Sequence, residues 1–481
     1  MTLALTKEIS SGSRSALEVV SKSLEMAQND SLNAFISLNP QALETAAKID
    51  TRVKAGEHLP LAGYPLAVKD NIVMRGLGAT AGSRILENFV SPYTSTALQR
   101  LLNAGAVVIG KANCDEFGMG SSGENSAYGA TKNPRDPSRV PGGSSSGSAA
   151  AVAQGMVSGA LGTDTGGSIR LPAAFCGVLG MKPTYGRISR YGVIAYASSL
   201  DQVGPFARST ADLAALLEVM SGHDPMDATS LVAKADFSSA VNQDIKTWKI
   251  GLVREGMGSG NSPAVLGAMD ATRVALEQLG ATVVDVSLPS LENALAAYYL
   301  IACPEASSNL ARYDGMVYSN RADGTDLLSV MSQSRGLGFG AEVKRRILMG
   351  TYALSSGYYD AFYSKALRAR AMIAADFARV FAGVDALLMP TAPSTAFELG
   401  AKADPLEMYL TDVDTVAVNL AGLPAISIPF GYENNNSFSP SSGLPIGVQF
   451  IAPTLEDARL ISISAALEQH TNATFLKPVL E

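Results

Sequence analysis

The sequence predicts an α/β fold, a sheet with helices on both faces. Three observations carry that reading. Segments of helical periodicity alternate with short apolar runs of strand length along most of the chain. Hydrophobic residues make up 47% of the 481 positions and charged residues 17%, the balance of a chain that buries a large core. No run of about 18 apolar residues is present that could span a bilayer; the nearest, Ser148–Gly162, is mostly Ala, Gly and Ser with Gln154 inside. Length alone would allow about three domains of roughly 150 residues each, a prior that large α/β enzymes often exceed.

Taken in order, SALEVVSKSLEMAQ (Ser15–Gln28) sets apolar residues at helical spacing behind a serine cap. NAFISL (Asn33–Leu38) is a short strand. Thr94–Ala104 reads as a helix and AVVIG (Ala106–Gly110) as a buried strand. Ser121–Gly147, rich in Ser, Gly, Asn and Pro, is a long loop. Ser148–Met156 is helical, and SGALGT (Ser158–Thr163) is a strand feeding GTDTGGSIR (Gly162–Arg170). Helices then follow at Thr210–Ser221, Val265–Leu279, Leu291–Arg312, Glu342–Phe381 and Glu456–Gln469. Between them run the strands WKIGLV, ATVVDVSL, ALLMP, AISIPF and IGVQFIAP. YENNNSFSPSSG (Tyr432–Gly443) reads as a turn-rich surface loop, within one domain or at a domain boundary. No internal repeat is visible.

The formal net charge is -7 and the pI about 5.2. Phosphate binding relies on clustered Lys and Arg, so this chain is a poor candidate for gripping nucleic acid by its own field. Cys114, Cys176 and Cys303 are too few and too scattered for a disulfide framework or a zinc site, which fits a reducing, cytoplasmic setting. The N-terminus has no basic start followed by an apolar run, so no signal peptide is expected.

Several familiar patterns fail on their context. GAVVIGKA matches a phosphate-binding loop, except that Ala112 stands where Ser or Thr must reach magnesium, and its middle is an apolar strand. GMGSSG (Gly118–Gly123) follows no strand. GSSSG (Gly143–Gly147) fits a nucleophile elbow centred on Ser145, but that device needs a later histidine. The chain has only 3, and His223 and His470 sit in unremarkable helix-end settings. Cys176 lies in an apolar run and reads as a buried structural thiol.

Three segments fit one mechanism. Glycines in TGGS accept unusual dihedrals, so successive N–H groups there can converge on an oxyanion beside Ser168. Lys69 ends the apolar strand PLAVK. An ordinary lysine titrates near 10.4, and bringing it to about 7 takes roughly 4.6 kcal/mol of desolvation and neighbouring charge. A neutral lysine could then serve as base. Ser144 opens a small-residue helix, and its hydroxyl can both donate and accept, passing a proton from Ser168 towards Lys69. Plainer readings stand beside this one. Ser168 could cap a helix after a Gly-Gly turn, and Lys69 could reach the surface or pair with Asp70.

The run from GGSSSGSAAAVAQG through GTDTGGSIRLPAAFCGVLGMKPTYGRIS resembles the amidase signature, and GYPLAVKDNI resembles that family's lysine segment. NCDEFGMGSSGENSAYG, EASSNLARYDG, KRRI with ALSSGYYDA, and VNLAGLPAISIPFG resemble one branch of the family, the glutaminase (A) subunits of tRNA-dependent amidotransferases. The resemblance spans essentially the whole chain. It implies a single large amidase-signature domain over residues 1–481, a central twisted mixed sheet with helices on both faces, and a catalytic core at about residues 60–210. It implies Ser168 as the acyl-enzyme nucleophile, Ser144 as the bridging serine and Lys69 as the terminal base. A cis Gly143–Ser144 peptide is implied as well, as is an oxyanion hole from the N–H groups of Thr165, Gly166, Gly167 and Ser168. For glutamine it implies Arg345 at the α-carboxylate, Asp412 at the α-amine and Tyr299 as a side wall. Arg346 and Asp414 are close enough in sequence for the register to slip.

The implied reaction is glutamine hydrolysis that supplies ammonia for converting Glu-tRNA(Gln), or Asp-tRNA(Asn), to the amide form. The implied assembly is a heterotrimer with the amidotransferase B and C subunits. The larger B component would carry ATP, Mg and most of the tRNA contact, with no cofactor or metal in this chain and no membrane. A stand-alone amidase acting on small amides is the alternative. Cys303 and Pro304 just before EASSN, a short N-terminal helix, and slight variation around VDTVAVNLAG depart from the family pattern without touching the triad.

Overall fold

The computed structural model describes residues 2–234, 236–433 and 443–471. Eleven strands form one sheet: β1 (Phe35–Leu38), β2 (Pro65–Lys69), β3 (Val107–Ala112), β4 (Gly159–Asp164), β5 (Leu179–Lys182), β6 (Gln202–Ala207), β7 (Lys249–Val253), β8 (Thr282–Val286), β9 (Ala386–Pro390), β10 (Ala425–Tyr432) and β11 (Pro445–Ile451). Their order is β1-β3-β2-β4-β6-β5-β10-β11-β9-β7-β8. The β3-β2-β4 and β9-β7-β8 groups are parallel, and the remaining neighbours are antiparallel, so the sheet is mixed.

Successive side chains of a strand point to opposite faces. Leu66 and Val68 of β2, Leu388 of β9, and Val448 and Phe450 of β11 feed one core, closed by Leu98, Leu101, Leu213, Leu217 and Leu460 from helices. Two clusters share the other face. One holds Ala67, Val107 and Ile109 under Ala149–Ala153, and the other holds Leu387, Met389 and Ile451 under Tyr298, Ile301, Ile373 and Phe377.

The central strands are apolar throughout because both faces are covered. That explains why AVVIG, SGALGT and ALLMP read as continuous runs rather than alternating ones. Ser15 caps the helix Ala16–Gln28 by accepting the Leu17 N–H at 3.1 Å. Glu342–Phe381 is two helices, Ala341–Ala353 and Tyr363–Phe381, parted at Ser355, Ser356 and Gly357, where Gly357 takes φ +88. The Leu291–Arg312 reading shortens to a helix at Ala294–Asn309 with 3-10 turns at either end. Of the Tyr432–Gly443 loop, residues 434–442 lie outside the described residues; β10 and β11, which it joins, pair directly with each other.

The helix Ser146–Gln154 is built from SGSAAAVAQ because it packs on β2, β3 and β4, with Ser146–Ala153 fully buried and no space for larger side chains. A Cβ at Gly147 would meet the carbonyl of Ala34 and, at 2.6 Å, the nitrogen of Asn113, all backbone that cannot swing aside. Gly147→Ala is therefore expected to lower stability by about 2 kcal/mol, in the range of other overpacking changes, read as a fall in the urea midpoint. An unchanged midpoint would show that this helix is not tightly seated.

Candidate active site

Three segments converge. Lys69 ends β2 with its side chain fully buried. β4 ends at Asp164 and passes into the turn that carries Ser168. Ser144 precedes the helix Ser146–Gln154, and the Ser145 N–H donates to the carbonyl of Ser168 at 3.2 Å, which binds the two serine segments together. The Gly143–Ser144 peptide is cis.

Lys69 Nζ lies 2.7 Å from Ser144 Oγ, 3.0 Å from Ser145 Oγ and 3.0 Å from Thr163 Oγ1. Ser145 Oγ donates to the Thr163 carbonyl at 3.1 Å, and Thr163 Oγ1 accepts from Asn71 Nδ2 at 3.0 Å, so both are placed to accept from the amine. A neutral amine has two protons and one lone pair. Its protons fit Ser145 and Thr163, which leaves the lone pair facing the Ser144 hydroxyl. Burial pushes Lys69 down to about 8, against the pull of Cys114, Asp115, Asp164 and Asp201, which favour its charged form. The plainer reading of Lys69 fails: Asp70 pairs with Lys111, at 3.1 Å, and not with its neighbour.

The Ser168 turn is fixed from below. Asp164 accepts from Arg170 Nε at 3.1 Å and Nη2 at 3.0 Å, and from the N–H groups of Gly167 at 2.9 Å and Ile169 at 3.1 Å. Burial pushes the Asp164 carboxyl up, but the Arg170 charge and hydrogen bonds outweigh it and hold it at about 2. This corrects one expectation. The Gly167 N–H is already engaged, donating to Asp164 Oδ1. The N–H groups of Thr165, Gly166 and Ser168 bond to no other group among the described residues. Gly167 takes φ +140, which a side chain rarely adopts, and Thr415 packs where its Cβ would stand. Thr415 also donates from Oγ1 to the Gly166 carbonyl at 2.5 Å, and Thr165 Oγ1 donates to Asp201 at 2.6 Å.

Beside the relay lies a second polar group. Asp412 Oδ2 accepts from Ser121 Oγ at 2.6 Å and from Tyr299 OH at 3.4 Å. Ser121 also receives the Gly143 N–H at its carbonyl, 2.9 Å, which places Asp412 next to the Ser144 peptide. The cation facing this group is Arg346, not Arg345. Arg345 sits on the outer face of Ala341–Ala353 with its side chain 43% exposed, paired with Glu342. Arg346 is buried, donates to Glu342 Oε1 at 2.7 Å and Tyr196 OH at 2.9 Å, and lies over the rings of Tyr299 and Tyr409, each at 5.2 Å. Its charge reaches Asp412 and tempers the burial that pushes that carboxyl up to about 7. Helical periodicity alone does not tell which of two adjacent arginines faces inward; the fold turns Arg346 inward and leaves Arg345 outside. Asp414 is buried elsewhere: its carbonyl accepts from Gln449 Nε2 at 2.9 Å, and its Oδ2 bonds to nothing among the described residues.

Sequence reading missed the supports: Asn71 and Thr163 under Lys69, Ser121 under Asp412, and Glu342, Tyr196 and Tyr409 around Arg346. Asn71, Thr163 and Ser121 lie inside the motifs quoted above, but which groups they support is visible only once the sheet has closed. The discarded candidates stay apart. His223 and His470 are exposed, and Cys176 donates its thiol to the Pro141 carbonyl at 3.3 Å from a buried site that pushes it far above the usual thiol range.

Residues 18–461 match the family model described as Amidase. The chain is 57% identical to the A subunit of the Glutamyl-tRNA(Gln) amidotransferase from Deinococcus deserti, over 97% of this chain and 95% of that protein. A crystal structure of the corresponding Glutamyl-tRNA(Gln) amidotransferase A subunit from Thermotoga maritima superposes with a TM-score of 0.78 at 41% identity, covering 94% of this chain and 91% of the other. Native peptide amidase from Stenotrophomonas maltophilia superposes with a TM-score of 0.80 at 31% identity, covering 97% and 96%. The fold is thus common to both kinds of enzyme, and sequence identity separates them.

If Lys69 is the base, it works only when deprotonated. Covalent labelling of Ser168 by a fluorophosphonate is expected to be half-maximal near pH 8, level above it and tenfold slower per unit below it. Lys69→Met should slow labelling at least about a thousandfold and flatten the profile, the loss typical of a relay acting as one unit. A profile that stays level from about pH 6 to about pH 9 in the unsubstituted protein would contradict the role.

Proposed function

The chain belongs to the amidase family, and from that premise we propose that it is the glutaminase subunit of a tRNA-dependent amidotransferase. The observation that carries this reading is the group Arg346–Tyr299–Asp412 beside the Ser168 turn. A buried cation and a buried carboxylate, tied to the relay through Ser121, match the α-carboxylate and α-ammonium of a free amino acid. An amidase for simple amides has no use for that pair. The identity to amidotransferase A subunits supports the same reading.

In the proposed reaction the ammonium of glutamine meets Asp412, which ionises as the cation arrives, and the α-carboxylate meets Arg346. The side-chain amide reaches Ser168. As the Ser168 oxygen attacks the amide carbon, its proton passes to Ser144 and the Ser144 proton to neutral Lys69. The N–H groups of Thr165, Gly166 and Ser168 take the developing oxyanion. The relay then returns a proton to the leaving nitrogen, the C–N bond breaks, and ammonia departs. Water, deprotonated through the same relay, attacks the glutamyl ester, frees glutamate and restores Ser168.

Ammonia in water is protonated and diluted, so the reaction calls for an acceptor close by. The chain is acidic overall, with a net charge of -7. In this reading, the B and C subunits complete a heterotrimer, and the B component holds the tRNA and the ATP and Mg that activate its aminoacyl group. The assembly works in the cytoplasm; among the described residues no helix is long and apolar enough to cross a membrane.

Arg346→Met or Asp412→Asn is expected to raise the KM for glutamine at least about thirtyfold, the loss of one charge-assisted contact, while Arg345→Ala stays within about twofold because its side chain faces solvent. Equal effects of the two arginine changes would overturn the assignment. Ammonia release from glutamine by the complex purified from its own cells should rise when ATP and Glu-tRNA are added. Release that ignores both additions, with simple amides preferred, would identify a stand-alone amidase.

A further inference from the structure

The segment Asp115–Gly118 touches both halves of the site, and no step above uses it. Asp115 donates its N–H to the carbonyl of Ser144 at 3.1 Å. Phe117 takes the left-handed conformation at φ +52, its ring against Tyr313 and Phe339 at 5.2 and 5.6 Å. Gly118 follows at φ +75, where a Cβ would stand 3.6 Å from Ser144 Oγ. A bulky residue held left-handed between the relay and an aromatic cluster needs strong anchors on either side.

Glu116 is the anchor on the far side. It is 3% exposed and has no cation in a salt bridge with it among the described residues. The N–H of Gly340 donates to its Oε2 at 2.9 Å. Gly340 is the residue from which the Ala341–Ala353 helix starts, and it supplies no side-chain cap of its own. A Cβ on Gly340 would collide with the Glu116 carboxyl, so the close approach requires glycine. Arg346 lies in the second turn of that same helix.

Ser83 closes the arrangement. Its hydroxyl contacts Glu116 Oε1 and lies 3.2 Å from the carbonyl of Gly338, and it accepts the Ile85 N–H at 3.4 Å. One hydroxyl proton cannot serve both the carboxyl and the Gly338 carbonyl. Both contacts form together when the acid holds its proton and donates to Ser83, which in turn donates to Gly338. An amide in place of the acid would make the same two bonds. Burial pushes the Glu116 carboxyl up to about 7, against the Ser83 and Gly340 hydrogen bonds and the Lys344 charge, which favour the anion.

We propose that Glu116 is a positioning residue: through Gly340, Ser83 and Gly338 it fastens the start of the arginine-bearing helix to the turn beside Ser144, and so sets Arg346 at the correct distance from the Ser168 relay. This rests on the reading in which Arg346 receives the substrate carboxylate. The bridge works through hydrogen bonds: no cation forms a salt bridge with Glu116 among the described residues, and its carboxyl meets the Gly340 N–H and the Ser83 hydroxyl.

The test uses the full protein with its co-purified partners and two readouts, glutamine kinetics and the rate of Ser168 labelling by a fluorophosphonate, which has no carboxylate for Arg346. Glu116→Ala is expected to raise the KM for glutamine about tenfold or more while kcat and labelling stay within about threefold, since only positioning is lost. Glu116→Gln should stay within about threefold on all readouts, because the amide keeps both hydrogen bonds. Ser83→Ala, which removes one side of the bridge and leaves Glu116 in place, should raise KM by a smaller factor with labelling unchanged. An unchanged KM in Glu116→Ala, or a parallel loss of KM and labelling, would overturn the proposal, as would a Glu116→Gln protein as impaired as Glu116→Ala. If Glu116→Ala does not fold, Ser83→Ala and Glu116→Gln decide on the same criteria. Arg346→Met serves as the control: if it leaves KM unaltered, the substrate-site reading fails first, whatever Glu116 does.

Discussion

The buried pair between Asp164 and Arg170 is the constraint on which the site depends. Both side chains are fully buried, and the contact is two-pronged. Asp164 also accepts from the N–H groups of Gly167 and Ile169, on either side of Ser168, and from Asn419 Nδ2 at 2.9 Å. Arg170 also donates to the Thr415 carbonyl, to Asn419 at 2.6 Å and to Gln449 of β11. One ion pair thus fixes the nucleophile turn, fastens it to the middle of the sheet and ties it to the segment that bears Asp412. Removing one partner of a buried pair leaves an uncompensated charge, a loss of about 3–5 kcal/mol, whereas the intact pair adds little to stability against an apolar substitute. Its value here lies in geometry.

The titratable groups divide by whether they have a partner. Asp164 has Arg170 and is held as an anion at about 2. Arg346 has Glu342 and stays a cation, in a cage of tyrosine rings. Lys69 and Asp412 have hydroxyl neighbours instead of counter-ions, so burial drives each towards its neutral form, Lys69 down to about 8 and Asp412 up to about 7. Those two are the groups that change state in the proposed cycle, in which Lys69 takes a proton and Asp412 ionises when an ammonium arrives. The site keeps a full charge where it needs structure and withholds the counter-ion where it needs a change.

Much of this was legible in the sequence, and the reasons differ by residue. GTDTGGSIR showed a hydroxyl in a bed of small residues, and the aspartate and arginine flanking it turned out to be its anchors. PLAVK showed a lysine at the end of a buried strand, which already implied a perturbed amine. The strands AVVIG, SGALGT and ALLMP were visible because strands covered on both faces are uniformly apolar. The turn at Ser355–Gly357 was hidden because strong helical periodicity on both sides bridges a short break. Arg346 could not be told from Arg345 until the helix had been placed against Tyr299 and Tyr409. Gly167 was included in the oxyanion hole because a glycine pair suggests converging N–H groups; only the fold shows that Asp164 claims one of them. Short-range pattern singled out Ser168, Ser144 and Lys69, which the fold brings together. The supports come from places as distant as Asn71, Ser121, Thr415 and Gln449, and sequence spacing says nothing of such contacts.

The central claim is that Ser168 forms the covalent intermediate and that its proton leaves through Ser144 to Lys69. The most direct measurement is rapid acid quench of the protein with glutamine, followed by peptide mass mapping, on the unsubstituted chain and on Ser144→Ala. A glutamyl ester is expected on the peptide bearing Ser168 in the unsubstituted chain and almost none in Ser144→Ala. An adduct on Ser145 or Cys176, or an undiminished adduct on Ser168 without Ser144, would contradict it.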